Sequence, residues 1–471
     1  MTDDICWLTA TGLARALRQR ELSAREVVAA YLDRIDRVNP VVNAIVTLLP
    51  EYALEQAEAA DRRLAAGEPI GPLHGIPMAH KDTHDTAGIR TTHGSPVLRD
   101  NVPEADALIV ERLRAAGVIT LGKTNVPEFA AGSHTFNPLF GATRNPYAHD
   151  RSAGGSSGGA AAALACGLQP LADGSDLGGS LRNPASFNNV VGLRPTPGRV
   201  PSFPAPAPWS TMSVPGPLAR TVADVALMMS VIAGPDDRSP ISINEPGSAF
   251  TAPLERDLTG LRVAWTPDLG GSFPVEPVVR STLESQLTVF EDLGCVVEEA
   301  SPDLSGADEV FRTLRAWHFD LSLGDVLDQS RDLLKPSLVD NIEQGRRLRG
   351  TDVARAETLR TELFHEMRRF FGRYDVLALP VAQVPPFDID LEYPAEVDGV
   401  PQRDYLDWMR SCYCISVTDS PALSVPAGFT PDGLPVGLQL VGRHRGEFAL
   451  LQVGHAFEQA TRFGLRRPLA G

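Results

Sequence analysis

Gly154-Gly155-Ser156-Ser157-Gly158-Gly159, answered downstream by Gly178-Gly179-Ser180, is the stretch that decides how this chain is read. Glycine on both sides of a serine leaves little bulk near the hydroxyl and a backbone free to adopt unusual angles. That suits a nucleophile that must meet a substrate carbonyl while nearby N–H groups hold a developing oxyanion. A flexible Gly/Ser linker fits poorly. The alanine-rich run Ala160 to Ala165 and the apolar pair Val190-Val191 are not linker composition.

A serine nucleophile needs a base. Ten histidines keep a Ser-His arrangement open. A second candidate lies upstream in Leu73-His74-Gly75-Ile76-Pro77-Met78-Ala79-His80-Lys81-Asp82, where an apolar stretch leads into Lys81. A lysine at the end of a buried strand loses hydration, its pKa falls, and the neutral amine can accept a proton. Taken alone, the segment favours a solvated surface lysine.

Together these segments resemble the amidase signature family of serine hydrolases. The matching pieces begin with Gly75-Ile76-Pro77 leading to Lys81-Asp82, and Gly122-Lys123-Thr124-Asn125 with Pro127-Glu128-Phe129. They continue through Asn145-Pro146, the Gly154–Gly159 block, Asp176-x-Gly178-Gly179-Ser180-x-Arg182, Gly192-Leu193-Arg194-Pro195-Thr196 and Gly198-Arg199. Near the C-terminus, Pro421 to Gly428 and Gly433 to Gln439 also match.

The resemblance implies an α/β fold with a large twisted mixed β-sheet covered by helices on both faces. It implies one amidase domain over 1–471: an N-terminal helical cover at 1–66, a catalytic core at 67–235, and further sheet and pocket walls at 236–471. It also implies roles. Ser180 is the nucleophile. Ser156, after a cis peptide bond, relays its proton, and Lys81 is the terminal base. The N–H groups of Leu177, Gly178, Gly179 and Ser180 form the oxyanion hole. Ser157, Asp176 and Arg182 make a supporting hydrogen-bond shell. The implied activity is hydrolysis of a carbonyl–nitrogen bond, with no cofactor and no metal. Ser175 and Thr418 depart from the family's more frequent Thr and Asn. Ala205-Pro206-Ala207-Pro208-Trp209 replaces a glycine-rich segment of the glutamine-using members, which bears on substrate.

Two rival motifs compete. Gly117-Val118-Ile119-Thr120-Leu121-Gly122-Lys123-Thr124 fits the phosphate loop of ATPases. Its β-branched apolar middle reads as a strand, and Pro127 arrives where a helix should begin. Gly155-Ser156-Ser157-Gly158-Gly159 fits the nucleophile elbow of α/β-hydrolases, but the preceding Tyr147 to Ser152 is polar where an apolar strand is required.

Composition sets further bounds. Of 471 residues 43% are hydrophobic and 22% charged, ordinary for a globular chain. A formal net charge of −16 argues against nucleic acid or an anionic membrane as partner. The start Met1-Thr2-Asp3-Asp4 lacks the basic residues of a signal peptide. Five cysteines without zinc spacing read as reduced thiols in a cytoplasmic protein. Cys412 and Cys414 share a face if their segment is a strand. The oligomeric state expected is monomer or homodimer.

Along the chain, Ser23-Ala24-Arg25-Glu26 is a capping box that opens a helix ended by Asn39-Pro40. Helices are expected near 51–66, 221–233 and 277–293, and through most of 305–373. Strands are expected at 118–121, near 170–172, and at 261–265, 295–297 and 375–380. Residues 235–258 read as a surface connection, and 305–410 as substrate-pocket walls. The proline-rich run Pro201 to Trp209 is either a solvent-side loop or a rim of the pocket. In the second case Phe203, Trp209 and Met212 supply apolar surface, favouring apolar or aryl amides, carbamates and activated esters. The nearest alternative function is the glutaminase component of a tRNA amidotransferase. A nucleotide-hydrolysing enzyme at Gly117–Thr124 is the alternative of another class.

Overall fold

The computed structural model describes residues 2–468. Eight strands form a mixed sheet in the order Val296–Glu299, Arg262–Trp265, Val376–Pro380, Pro435–Val441, Ala422–Phe429, Val191–Arg194, Val214–Ala219, Leu171–Asp176. The first three run parallel, and every later neighbour is antiparallel. The central strands are buried along almost their whole length, so they read as continuous apolar runs rather than alternating ones. Alternate residues of these strands meet opposite layers. Leu423 and Val425 point at Gly454 in the helix Glu447–Thr461. Gly437 and Gln439, cross-strand partners of Pro426 and Ser424, meet Ser186 and Arg182 of the helix Arg182–Phe187. Helices therefore cover both faces, as expected.

A second, three-stranded sheet carries Ile45–Leu48, Ile119–Thr124 and Pro77–Lys81. Its last strand lies against Leu171–Asp176 of the large sheet, but no backbone ladder joins them among the described residues. Side chains take that place: the Ala79 N–H donates to Gln169 Oε1 (2.8 Å) and the Lys81 N–H to Asp173 Oδ1 (2.6 Å). One buried apolar cluster runs from Cys6 to Phe457.

The capping box is present, with Ser23 and Glu26 exchanging bonds at the start of the helix Ala24–Val42. The expected stop at Asn39-Pro40 is corrected. Proline lies within the last turn, where Asn39 turns outward to satisfy the departing chain, accepting from the Ala44 and Ile45 N–H groups. The expected helix over 277–293 is two, Pro277–Glu284 and Leu287–Asp292. Cys412 and Cys414 stand on a helix, Arg410–Ser416, not a strand, and so do not share a face. Polar Ala148–Ser152 is a strand after all, paired in a small separate ladder with Arg144–Asn145. Residues 235–258 do not lie wholly on the surface, since Ile243, Phe250, Leu254 and Leu258 are buried.

Candidate active site

A cavity of about 750 Å³ opens over the two serine loops, and Ser156, Ser175 and Ser180 all face it. Ser156 precedes the helix Gly158–Ala165, which is buried on every side. Only small side chains allow that, which explains the alanine run. The Gly155–Ser156 peptide is cis. Its loop is clamped from outside: Ser133 Oγ donates to the Gly155 carbonyl (2.6 Å) and Thr135 Oγ1 to the Gly154 carbonyl (2.8 Å). Ser180 follows the strand Leu171–Asp176 in a turn that only glycine tolerates. A Cβ on Gly178 would stand 2.6 Å from Phe311, and one on Gly179, at φ +123°, would stand 2.7 Å from Cys412 Cβ.

Lys81 ends its strand wholly buried and does not reach the cavity. Its Nζ lies 2.8 Å from Ser156 Oγ and 3.1 Å from Ser175 Oγ. Burial lowers its pKa to about 7, and the carboxylates of Asp176 and Asp173 oppose a further fall. As an ammonium it donates to both hydroxyls. As a neutral amine it can accept the Ser156 proton while donating to Ser175. The surface-lysine reading is thereby excluded. Asp173 lies directly beneath. Burial pushes its carboxyl up, but His80, at 2.6 Å, and His84 outweigh that and hold it below the usual carboxylate range. The sequence gives Asp173 no role of its own, because its contact with Lys81 exists only once its strand lies beside that of Lys81.

Asp176 organises the Ser180 turn. It accepts from the N–H groups of Gly179 (2.9 Å) and Leu181 (3.1 Å), and from Arg182 Nε (3.0 Å) and its terminal nitrogen (2.9 Å). Arg194 donates to its backbone and side chain. Arg182 continues to the Cys412 carbonyl, Gln439 and Ser416. These contacts tie the turn to the centre of the sheet. Two sequence expectations change. The Gly179 N–H is committed to Asp176, which leaves those of Leu177, Gly178 and Ser180, for which no acceptor is found among the described residues. Ser157 holds the turn through its N–H, which donates to the Ser180 carbonyl (3.3 Å), while its buried hydroxyl has no partner among the described residues. No hydrogen bond joins Ser156 to Ser180 among the described residues; the two hydroxyls share the cavity.

The loop Pro201 to Pro208 and Ser210 edge this cavity, so the rim alternative holds. Phe203 faces it, and the Leu108 N–H fixes the loop by donating to the Phe203 carbonyl (2.8 Å). Trp209 and Met212 do not line it. They belong to a separate groove behind the loop, where Trp209 is 76% exposed and Met212 is buried. Pro208 and Trp209 form a turn closed by the Ser210 N–H donating to the Ala207 carbonyl (2.9 Å). Lys123, the lysine of the apparent phosphate loop, is buried at the end of a strand. Its Nζ donates to the His84 carbonyl (2.5 Å), Thr86 (2.8 Å) and Thr91 (3.1 Å), so it serves the interior and not a phosphate.

Comparison with known proteins adds the family. The sequence profile of the family described as Amidase matches residues 26–451. The chain belongs to the amidase family. It is similar to an acylamidase of Rhodococcus erythropolis, 39% identical over 98% of this chain and 97% of that protein. It is also similar to a glutamyl-tRNA(Gln) amidotransferase subunit of Moorella thermoacetica, 38% identical over 99% of each. Among solved structures, a bacterial aryl acylamidase of the amidase signature family superimposes with a TM-score of 0.91 at 29% identity, covering 98% of this chain and 99% of that one. A 6-aminohexanoate cyclic dimer hydrolase gives 0.89 at 28% identity, covering 99% of both. This amidase is an amide-hydrolysing enzyme of α/β architecture. No helix among its described residues is long and apolar enough to cross a membrane.

Proposed function

We propose that this amidase cleaves apolar or aryl amides through an acyl-enzyme on Ser180, with Ser156 and Lys81 as a proton relay. One observation carries the reading. Lys81 cannot reach the cavity, and the cavity-facing Ser156 hydroxyl stands against it at 2.8 Å. A proton leaving the substrate side reaches the buried amine only through such a hydroxyl. Ser180 Oγ attacks the amide carbonyl, its proton passes to Ser156 Oγ, and the Ser156 proton passes to Lys81 Nζ. The oxyanion takes the N–H groups of Leu177, Gly178 and Ser180. Ser156 then protonates the leaving amine and is reprotonated by Lys81. Water repeats the sequence on the acyl-enzyme and releases the acid.

The substrate preference rests on the walls. Leu98, Ile109, Phe129, Phe203, Phe311 and Phe319 give the cavity a largely apolar lining. Carbamates and activated esters offer the same carbonyl electrophile and belong to the same proposal. The glutaminase reading has the 38% identical amidotransferase relative in its favour. It needs an acceptor for the ammonium of glutamine. Among the described residues the one carboxylate lining the cavity is Asp85, which faces His93 at 3.5 Å. Five buried thiols support a reducing, cytoplasmic setting. The test is hydrolysis by the purified chain of 4-nitroacetanilide, an aryl carbamate and glutamine. The expected order of kcat/KM places both aryl substrates above glutamine; efficient glutaminase activity without aryl-amide turnover overturns it.

A further inference from the structure

Five arginines in the described chain are buried. Four meet a carboxylate: Arg34 with Asp3, Arg182 and Arg194 with Asp176, and Arg199 with Glu447. Arg315 is the exception. It is 5% exposed and lines the cavity, yet no carboxylate lies within ion-pair distance among the described residues. Its guanidinium donates to two neutral groups, Asn341 Oδ1 and the Tyr405 hydroxyl, and lies 4.1 Å from the centroid of the Phe319 ring. A buried cation without a counter-charge is costly, and three of its five N–H donors are not taken up by these two bonds.

The surroundings are unsatisfied in the same way. Arg315 belongs to the long helix Ala307–Ser330. His318 and Ser322 share its cavity-facing side, and both His318 Nδ1 and Ser322 Oγ are buried atoms with no hydrogen-bond partner among the described residues. Phe311, on the same face, abuts Gly178 in the Ser180 turn. At about 1.5 Å of rise per residue, Arg315 lies about 6 Å along the helix from Phe311, and His318 about 10 Å. The cavity thus joins a reacting end at Ser180 to a polar end at Arg315, with Phe311 between them and Phe319 on the far side of Arg315.

We propose that Arg315, with His318 and Ser322, binds a carboxylate on the non-reacting end of the substrate, so that this amidase acts on amides with an apolar body and a remote acid group. The inference deepens the preceding proposal and rests on it. Free amino acids fit the site poorly, because their ammonium would lie beside the same cation.

The test uses two matched pairs and the intact enzyme. Adipic acid mono-4-nitroanilide is compared with hexanoic acid 4-nitroanilide, placing the acid on the acyl side. 4-Acetamidophenylacetate is compared with 4′-ethylacetanilide, placing it on the leaving-group side. In at least one pair the carboxylate raises kcat/KM about tenfold or more, mainly through KM, since the contact is remote from the reacting atoms. Arg315→Met removes the preference, and Ser322→Ala reduces it severalfold. A purely structural arginine would lower both members of a pair alike. If the wild-type enzyme cleaves the neutral anilides with no gain from the carboxylate in either pair, the anchor is refuted and the aryl-amide reading stands. A preference that survives Arg315→Met also refutes the anchor. If no aryl amide is cleaved at all, both proposals fall. The wild-type ratios decide even if Arg315→Met does not fold.

Discussion

Two buried arginines, one beneath the Ser180 turn and one in the cavity wall, make the instructive comparison. Arg182, under the Ser180 turn, is saturated: carboxylate, carbonyl, amide and hydroxyl oxygens all accept from it. Arg315, in the cavity wall, is left with neutral partners and idle donors. A saturated cation fixes geometry, because any movement breaks several charge-assisted bonds at once. An unsaturated one facing a cavity is available to something that enters. In the proposed reading the first region builds the chemistry and the second selects the substrate.

The sharpest way to break this contrast is at the reacting atom. Ser180→Ala should lower kcat by more than about 10⁴-fold and abolish labelling by serine-directed reagents, with an unchanged far-ultraviolet dichroism spectrum. Residual activity within about tenfold of wild type would remove Ser180 from the mechanism. Next comes the base. Lys81→Met should cost about 10²- to 10⁴-fold in kcat/KM. If Lys81 is the base, the neutral amine is the active form, and burial places its pKa at about 7. The rate should therefore fall about tenfold per pH unit as pH drops below that value; a flat profile down to about pH 5, with chemistry rate-limiting, contradicts a lysine base.

The saturated region should also show itself in stability. Asp176→Asn leaves Arg182 and Arg194 without their shared counter-charge. Losing one partner of a buried ion pair costs about 3–5 kcal/mol, read from the urea midpoint. A loss below about 1 kcal/mol would mean that this network is not what holds the turn. The smallest effects belong to the rim loop. Phe203→Ala should change the ratio of aryl-amide to glutamine turnover by about tenfold. Trp209→Ala, on the outer side of the same loop, should leave that ratio within about twofold. Equal effects would place Trp209 at the cavity after all.

Much of the first region is legible in the chain because its constraints are local. The glycines around Ser156 and Ser180, the alanines of a helix buried on all sides, and the Asp176–Arg182 pair six residues apart each leave a mark at short range. Lys81 is partly legible: an apolar strand leads into it, but only packing against Asp173 and Ser156 separates a buried lysine from a surface charge. The strand through Gly122-Lys123 shows the converse, since a pattern that spells a phosphate loop is silenced by its own β-branched residues.

What only the tertiary structure decides is which side chains lack partners. Sequence separates Arg315 from Arg312, three residues earlier on the same helix, only in part: Arg312 has Asp308 four residues before it, but its other partners, Asp404 and Asp407, come from a distant segment. Nor does the proline-rich loop declare that Phe203 edges the cavity while Trp209 lies in a separate groove. Local glycine, alanine and capping requirements act through backbone sterics and so are written into neighbouring residues. Charge satisfaction and cavity walls are assembled from segments far apart in the chain, and their balance exists only once those segments meet.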